Sequence, residues 1–120
     1  MGDYKQLAVY GKAHQLVLEI YQTTMSFPKE ELYGLTSQIR RAALSVPSNI
    51  AEGSGRGHDR EFIRFLQIAI GSTNEVEYQV LLARDLGFLS AEDHQHLDRQ
   101  IIEVRRMLVG LVRSLGTKQP

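Results

Sequence analysis

Residues 97–115, LDRQIIEVRRMLVGLVRSL, carry the most regular pattern in this 120-residue chain and decide its fold class. Apolar residues recur here in alternating steps of four and three, which places one row along one side of an α-helix. The row consists of Leu97, Ile101, Val104, Leu108, Leu111 and Leu115. A second row lies beside it and consists of Ile102, Val109 and Val112. The segment therefore predicts an amphipathic helix over about residues 90–115, with a broad apolar face.

Three earlier segments show the same helical spacing, and no segment alternates apolar and polar residues as a strand would. We predict helices over about residues 5–25, 32–53 and 58–86. Four amphipathic helices with short connections predict an all-α, antiparallel up-down four-helix bundle, formed as a single domain over residues 1–120. We expect the tail at 116–120 to fray. The doubled apolar rows on the first and last helices exceed what one bundle buries, which indicates a homo-oligomer.

Pro47 lies inside the second helical pattern, where its ring removes the hydrogen bond to the carbonyl of Ala43. Two short helices and one kinked helix are both compatible with this position. We favour the kinked helix, because the apolar row continues through Pro47 to Ile50.

Polar side chains surround Pro47, and we expect them to be structural. Ser45 and its neighbours could satisfy the carbonyl that the proline frees, and Asn49 and Glu52 could also bond across to the third helix. Such buried polar contacts help to fix the register of packed helices. The predicted network comprises Ser48, Asn49, Glu52, Ser72 and Glu75.

Composition and motifs argue against catalysis. The chain has no cysteine, which removes disulfides and thiolate chemistry. His94 and His96 are two positions apart, so on a helix they point to different sides and do not readily share a metal. The glycine-rich turn at 53–57 lacks the flanking residues of a phosphate-binding P-loop, and no sequence motif marks Ser54 as a nucleophile. We therefore expect no catalytic residue, no metal site, no cofactor and no enzymatic activity.

Apolar runs are short throughout the chain, and none approaches the roughly 18 residues that a membrane span needs. Residues 1–12 lack the apolar core of a signal peptide. We expect a cytoplasmic protein without a membrane partner.

Residues 27–53, FPKEELYGLTSQIRRAALSVPSNIAEG, are the most distinctive part of the sequence. Together with FIRFL at 62–66, IAIGS at 68–72 and EVE at 75–77, they resemble the four helix bundle protein family, also called the 23S-rRNA intervening-sequence proteins. The resemblance extends over about residues 4–115. It implies a bundle that assembles as a homopentamer around a central channel, encoded within insertions in bacterial large-subunit ribosomal RNA genes. A related branch, the accessory protein of diversity-generating retroelements, binds nucleic acid and a reverse transcriptase.

The net charge of zero, from 14 basic and 14 acidic residues, conceals three blocks. Residues 36–68 hold five arginines and three acids, residues 69–98 hold one arginine and six acids, and residues 99–120 hold five basic residues and one acid. The total argues against a strongly basic nucleic-acid binder, but the blocks leave two basic regions. A polyanion such as RNA is therefore a possible partner.

Arginine is the residue type that we expect to contact phosphate, because its planar fork matches phosphate oxygens. Arg56, Arg60 and Arg64 are four positions apart and would share one face if the segment were helical throughout. The full candidate set is Arg40, Arg41, Arg56, Arg60, Arg64, Arg105 and Arg106.

The alternative is that these arginines pair with nearby carboxylates; the candidates are Asp59, Glu61, Glu75, Glu77 and Glu103. The sequence thus predicts a non-enzymatic, oligomeric, RNA-associated module that contacts phosphates through arginines. It leaves open a protein-protein interaction scaffold with no direct nucleic-acid contact, whose partner would be another protein such as a polymerase or a ribosomal component.

Overall fold

The computed structural model describes residues 3–117, and within that range the chain forms four α-helices and no strand. The helices are α1 (Ala8–Thr24), α2 (Leu35–Ser54), α3 (Asp59–Asp85) and α4 (Ala91–Gly116). Short 3₁₀ turns at Tyr4–Gln6 and Lys29–Glu31 precede α1 and α2. The predicted all-α class with four helices is confirmed. α4 extends through Gly116, and the rest of the predicted fraying tail, 118–120, lies outside the described residues.

Each helix packs against two others, in the cyclic order α1–α2–α3–α4–α1. The resulting bundle measures 49 × 23 × 20 Å. Its core is built from the rows that the helical spacing predicts. On α4 the buried members are Leu97, Ile101, Val104, Leu108 and Leu115. On α3 they are Phe62, Phe65, Leu66, Ala69, Thr73, Val76, Val80 and Ala83. Removal of this apolar surface from water, worth about 25 cal/mol per Å², is what holds the four helices together.

α2 continues without interruption from Leu35 through Pro47 to Ser54, so the chain forms one helix here rather than two short ones. Pro47 is buried and forms part of the wall of a groove beside α1. Burial of the ring offsets part of the destabilisation caused by the missing hydrogen bond. The bend at Pro47 stays a prediction.

Gly53 allows α2 and α3 to approach closely. A methyl group at this position would lie 2.7 Å from Phe65 Cβ and 2.9 Å from Phe62 Cδ1, well inside normal carbon contact distance. Gly71, a glycine inside the third helical segment, also predicts the close approach of another backbone, and that prediction is wrong. Gly71 is exposed, and a methyl group there would meet nothing within 4 Å.

The α1–α2 and α3–α4 connections lie at the same end of the bundle. The α1–α2 connection contacts the α3–α4 connection, since the rings of Phe27 and Phe88 are 5.8 Å apart. In the α2–α3 connection Gly57 has a positive φ of 81°, a conformation that glycine adopts without strain. Ser90 caps α4, where its Oγ accepts a 3.0 Å hydrogen bond from the backbone N–H of Asp93.

Candidate nucleic-acid interface

Two arginines of the predicted row meet at the corner between α2 and α3. Arg56 is not helical, because α2 ends at Ser54 and the chain turns through two glycines before α3. The three arginines therefore do not form one helical row. Arg56 and Arg64 nevertheless converge, since their guanidinium carbons lie 5.0 Å and 4.5 Å from the centroid of the Phe65 ring. The ring is buried and holds both cations by cation–π attraction.

Both of these arginines also have carboxylate partners. Arg56 pairs with Glu52 at 2.9 Å, and Arg64 pairs with Glu61 at 3.1 Å. Hydrogen bonding to the Arg64 guanidinium lowers the pKa of Glu61 below its usual range, and the same bond raises the pKa of Arg64. The four side chains are between 39% and 56% exposed, and exposed pairs of this kind contribute little to stability. A phosphate group can therefore compete with the carboxylates for these arginines.

Three candidate arginines have no ion pair or hydrogen-bond partner within residues 3–117. They are Arg41, Arg60 and Arg106, and all three are exposed. Arg60 lies on the first turn of α3, four positions before Arg64. The α2–α3 corner, defined here by Arg56, Arg60, Arg64 and Phe65, thus holds three cations, one of them free.

Arg40 is used within the fold. Its Nε donates a 2.8 Å hydrogen bond to Thr24 Oγ1, and its guanidinium lies 4.8 Å from the centroid of the Tyr21 ring. Arg40 therefore holds α2 against the end of α1 and is less available to a ligand than the corner arginines.

Arg105 links α4 to α3. Its Nη1 donates 2.9 Å hydrogen bonds to Glu77 Oε1 and Asn74 Oδ1. The carboxylate alternative therefore holds for Arg105 as well as for Arg56 and Arg64. Glu103, another expected partner for arginine, instead pairs with Lys12 at 3.0 Å.

The seven candidate arginines do not form a single cluster. Arg41 lies about 20 Å from the corner end of α2, because each of the 13 residues from there to Ser54 rises about 1.5 Å. Arg105 and Arg106 are on α4, which packs against α1 and α3 but not α2. The α2–α3 corner is the place where the structure brings several of them together.

The polar network beside Pro47 is centred on Ser45. Asn49 Nδ2 donates to Ser45 O at 2.8 Å and to Ser45 Oγ at 2.9 Å, while Ser72 Oγ donates across from α3 to Ser45 Oγ at 2.9 Å. Asn49 itself does not bond to α3, and its amide reaches the Ser45 carbonyl rather than that of Ala43. Ser45 makes the link between helices.

The other predicted network members lie elsewhere. Glu52 is turned toward Arg56 rather than toward α3. Ser48 and Glu75 are exposed and have no hydrogen-bond or ion-pair partner in the range 3–117. The expectation of direct bonds from Asn49 and Glu52 to α3 is therefore wrong, because both side chains bond to residues four positions away in sequence.

Metal-binding clusters and membrane-spanning helices are both absent from residues 3–117. No group of three or more histidine, aspartate or glutamate side chains is placed there so that it could hold a metal ion. No helix in this range combines the length and the apolarity needed to cross a membrane. His96 Nε2 instead lies 2.7 Å from Glu19 Oε1, and this contact joins α4 to α1.

Residues 5–110 match the family model described as 23S rRNA-intervening sequence protein. The chain belongs to this family. All seven candidate arginines lie within the matched residues. The match to the family model therefore covers most of the chain, including the α2–α3 corner.

A crystal structure from Bacteroides thetaiotaomicron VPI-5482 has the same fold. It is of a protein with unknown function from the S23 ribosomal protein family, 22% identical in sequence, with a TM-score of 0.79. The similarity covers 88% of this chain and 98% of that one. No curated protein matches the sequence.

Sequence reasoning missed the role of Phe65 at the α2–α3 corner of this intervening-sequence protein. The helical spacing places Phe65 in the core, and it is buried, but it also supports Arg56 and Arg64. Its position directly after Arg64 was the available signal. Tyr33, in the connection between α1 and α2, is 93% exposed.

Proposed function

We propose that this 23S rRNA-intervening sequence protein is a non-enzymatic, oligomeric, cytoplasmic module that binds RNA through its arginines. The observation that carries the proposal is the α2–α3 corner, where Arg56 and Arg64 are held over one ring and Arg60 is free. Three guanidinium groups in one corner suit the closely spaced phosphates of a nucleic-acid backbone.

The chemistry of the corner favours phosphate contact over base reading. Phe65 is buried beneath the two guanidinium groups, so its ring cannot accept a stacked base. Binding through phosphates would recognise the shape of a folded RNA rather than its sequence. Arg41, which is exposed and free, would extend the contact along α2.

The proposed assembly is a homopentamer of antiparallel bundles. Ion pairs between α1 and α4 support the antiparallel arrangement, because Lys12 contacts Glu103 whereas the later residue Glu19 contacts the earlier residue His96. The pentamer follows from the family resemblance. In it each arginine would recur five times, which multiplies a small local surplus of positive charge.

Filter binding with a structured RNA at about 50 mM salt tests the proposal, because phosphate contacts are strong at low ionic strength. Arg60→Gln and Arg41→Gln should each weaken binding and reduce the salt slope by about 1 for each phosphate that the protein no longer touches. Arg84→Gln is the matched control, since Arg84 pairs with Asp85 at the far end of α3. Absence of binding by the wild-type protein, or equal weakening in all three variants, would overturn the proposal.

The alternative function is a protein-interaction scaffold, and exposed apolar residues at the α1–α2 connection favour it. Met25 and Leu32 are 78% and 48% exposed, beside the nearly fully exposed Tyr33. Exposed apolar groups of this kind commonly mark contacts with protein partners. Salt separates the two functions, because an apolar contact at this connection would persist at salt concentrations that abolish phosphate binding.

A further inference from the structure

A groove of about 410 Å³ lies where the α1–α2 connection meets the first turns of α2. Part of its lining is fixed in place, since Phe27 is buried and its ring packs 5.8 Å from the ring of Phe88. Pro28 follows directly and is rigid in its backbone. The rim is apolar and open to solvent, because Met25 and Leu32 are both exposed. A preformed, mostly apolar groove of this volume is typical of a binding site.

The wall that α2 contributes to this groove contains a buried hydroxyl group without a partner. Thr36 is 3% exposed, and its Oγ1 makes no hydrogen bond within residues 3–117. A threonine hydroxyl in a helix can donate to the carbonyl four positions earlier, and Thr24 does so with a 2.7 Å bond to Ile20 O. Thr36 makes no such bond. Since an unmade buried hydrogen bond costs free energy, the hydroxyl favours an occupant that brings it an acceptor.

Two cations border the groove, and no carboxylate of the described residues lines it. Lys29 is exposed and has no ion pair in the range 3–117. Arg40 is held in place by the bond from its Nε to Thr24 Oγ1, while its Nη1 makes no hydrogen bond to the described part of the chain. The nearby Glu31 is directed elsewhere, since its Oε1 accepts a 3.1 Å hydrogen bond from the backbone N–H of Leu35. The groove therefore offers N–H and O–H donors but no competing anion.

These features together specify the chemistry of an occupant. The apolar lining suits a large apolar side chain, and the Thr36 hydroxyl and the two cations suit a carboxylate held beside it. The apolar surface also continues past the groove to Tyr33, which is 93% exposed and is not part of the lining. A small free acid would fill the groove alone, whereas a peptide segment would cover Tyr33 as well. The extent of the surface therefore favours a peptide.

We propose that this groove binds an acidic segment of another protein, in which a large apolar side chain neighbours a carboxylate. The apolar side chain lies between Met25 and Leu32, and the carboxylate accepts hydrogen bonds from Thr36 and from the cations at the rim. The inference rests on the protein-interaction alternative given above and assigns a chemistry to its partner. It does not depend on RNA binding, because Thr36 is 18 positions, or about 27 Å of helix, from the end of α2 at the arginine corner.

Selection of random peptides displayed on phage against the whole protein tests the chemistry of the occupant. The enriched peptides should place aspartate or glutamate beside leucine, isoleucine, phenylalanine or methionine. Enrichment of peptides without a carboxylate would overturn this inference and leave the interaction scaffold standing. Absence of any enriched peptide would overturn both.

Variants of the groove then test where an enriched peptide binds, with affinity measured by fluorescence anisotropy. Thr36→Val keeps the shape of the side chain and should weaken binding about tenfold, the factor expected for one hydrogen bond to a charged group. Lys29→Gln should weaken binding about two- to fivefold, as is usual for an exposed charge. Lys5→Gln is the matched control, because Lys5 precedes the other end of α1 and should have no effect.

Stability separates binding from a structural role of Thr36. Because its hydroxyl has no partner in the fold, Thr36→Val should bind the peptide more weakly without a lower midpoint in urea. Unchanged peptide affinity in Thr36→Val, or weaker binding that accompanies a lower midpoint, would overturn the assignment of the hydroxyl to the site.

Two further measurements exclude other occupants of the groove. Octanoate should displace the peptide only weakly, and displacement at concentrations as low as those of the peptide itself would assign the groove to a small free acid. Light scattering should give Leu32→Gln the wild-type mass, and a reduced mass would assign the groove to a second copy of this chain. RNA binding by Thr36→Val should equal that of the wild-type protein, so RNA binding and peptide binding can each fail without the other.

Discussion

Replacement of Gly53 by alanine should destabilise the protein, whereas the same replacement at Gly71 should stabilise it. Both glycines are inside helices, where alanine is favoured by about 1 kcal/mol because it loses less backbone freedom on folding. Their surroundings differ. The new methyl group at Gly53 would lie 2.7 Å from Phe65 Cβ, while at Gly71 it would enter open space.

The magnitude at Gly53 follows from that short distance. Carbon atoms prefer separations of about 3.5–4.0 Å, so α2 and α3 must move apart by about 1 Å. The Cβ atom of Phe65 is fixed to its backbone and cannot rotate away. Overpacking of this kind costs about 1–3 kcal/mol, so after the gain in helix propensity a net destabilisation of about 0–2 kcal/mol remains. Gly71→Ala should gain about 1 kcal/mol.

Urea denaturation followed by circular dichroism, at one fixed protein concentration, measures both changes. The two midpoints should move in opposite directions with similar slopes, since neither substitution changes the surface exposed on unfolding. Stabilisation by Gly53→Ala equal to that by Gly71→Ala would refute the close packing of α2 on α3.

Two further predictions concern polar contacts. Asn49→Ala should lower the free energy of unfolding by about 0.5–1 kcal/mol, because it removes the hydrogen bonds to Ser45. Ser48 is exposed, so Ser48→Ala should change the free energy of unfolding by only about a few tenths of a kcal/mol. Equal effects of the two substitutions in urea denaturation would contradict this prediction. Glu61 should titrate below the usual carboxylate range by NMR, and Arg64→Gln should return its pKa to that range. Because the folded-state pKa is lowered, the pair stabilises the protein at neutral pH and this contribution is lost as the pH falls through that pKa. An unchanged titration in the variant would exclude the pair.

Apolar spacing predicted the helices and their buried rows well, because burial depends on periodicity along a single helix. The place of Gly53 on the core face of α2 is also predictable from the sequence. Gly53 continues the row of Val46 and Ile50 in steps of four and three, so its position on the core face could be inferred from the spacing. Gly71 lies off the buried row of α3, and its exposure follows from the same reasoning.

The ion pairs of the arginines are of two kinds: some join residues close in sequence, and one joins two different helices. Glu61 and Arg64 are three positions apart within α3, so local helix geometry brings them together. Arg56 lies in the turn just after α2, four positions from Glu52, so their short separation along the chain brings this pair together. The pair between Arg105 and Glu77 joins α4 to α3, and its formation depends on the angle and register at which the two helices pack. One-dimensional spacing contains no information on that register.

The net charge of zero is compatible with RNA binding once the charges are placed on the bundle. The acidic block at 69–98 places Glu77 and Asp98 in a groove between α3 and α4, whereas the arginine corner lies between α2 and α3. A single chain offers three corner arginines, so its salt slope could not exceed about 2.7 from the corner alone, at about 0.9 per phosphate contact. A ring that presents several corners to one RNA would exceed that limit. The slope of log affinity against log salt therefore reports whether RNA meets one chain or the assembled ring.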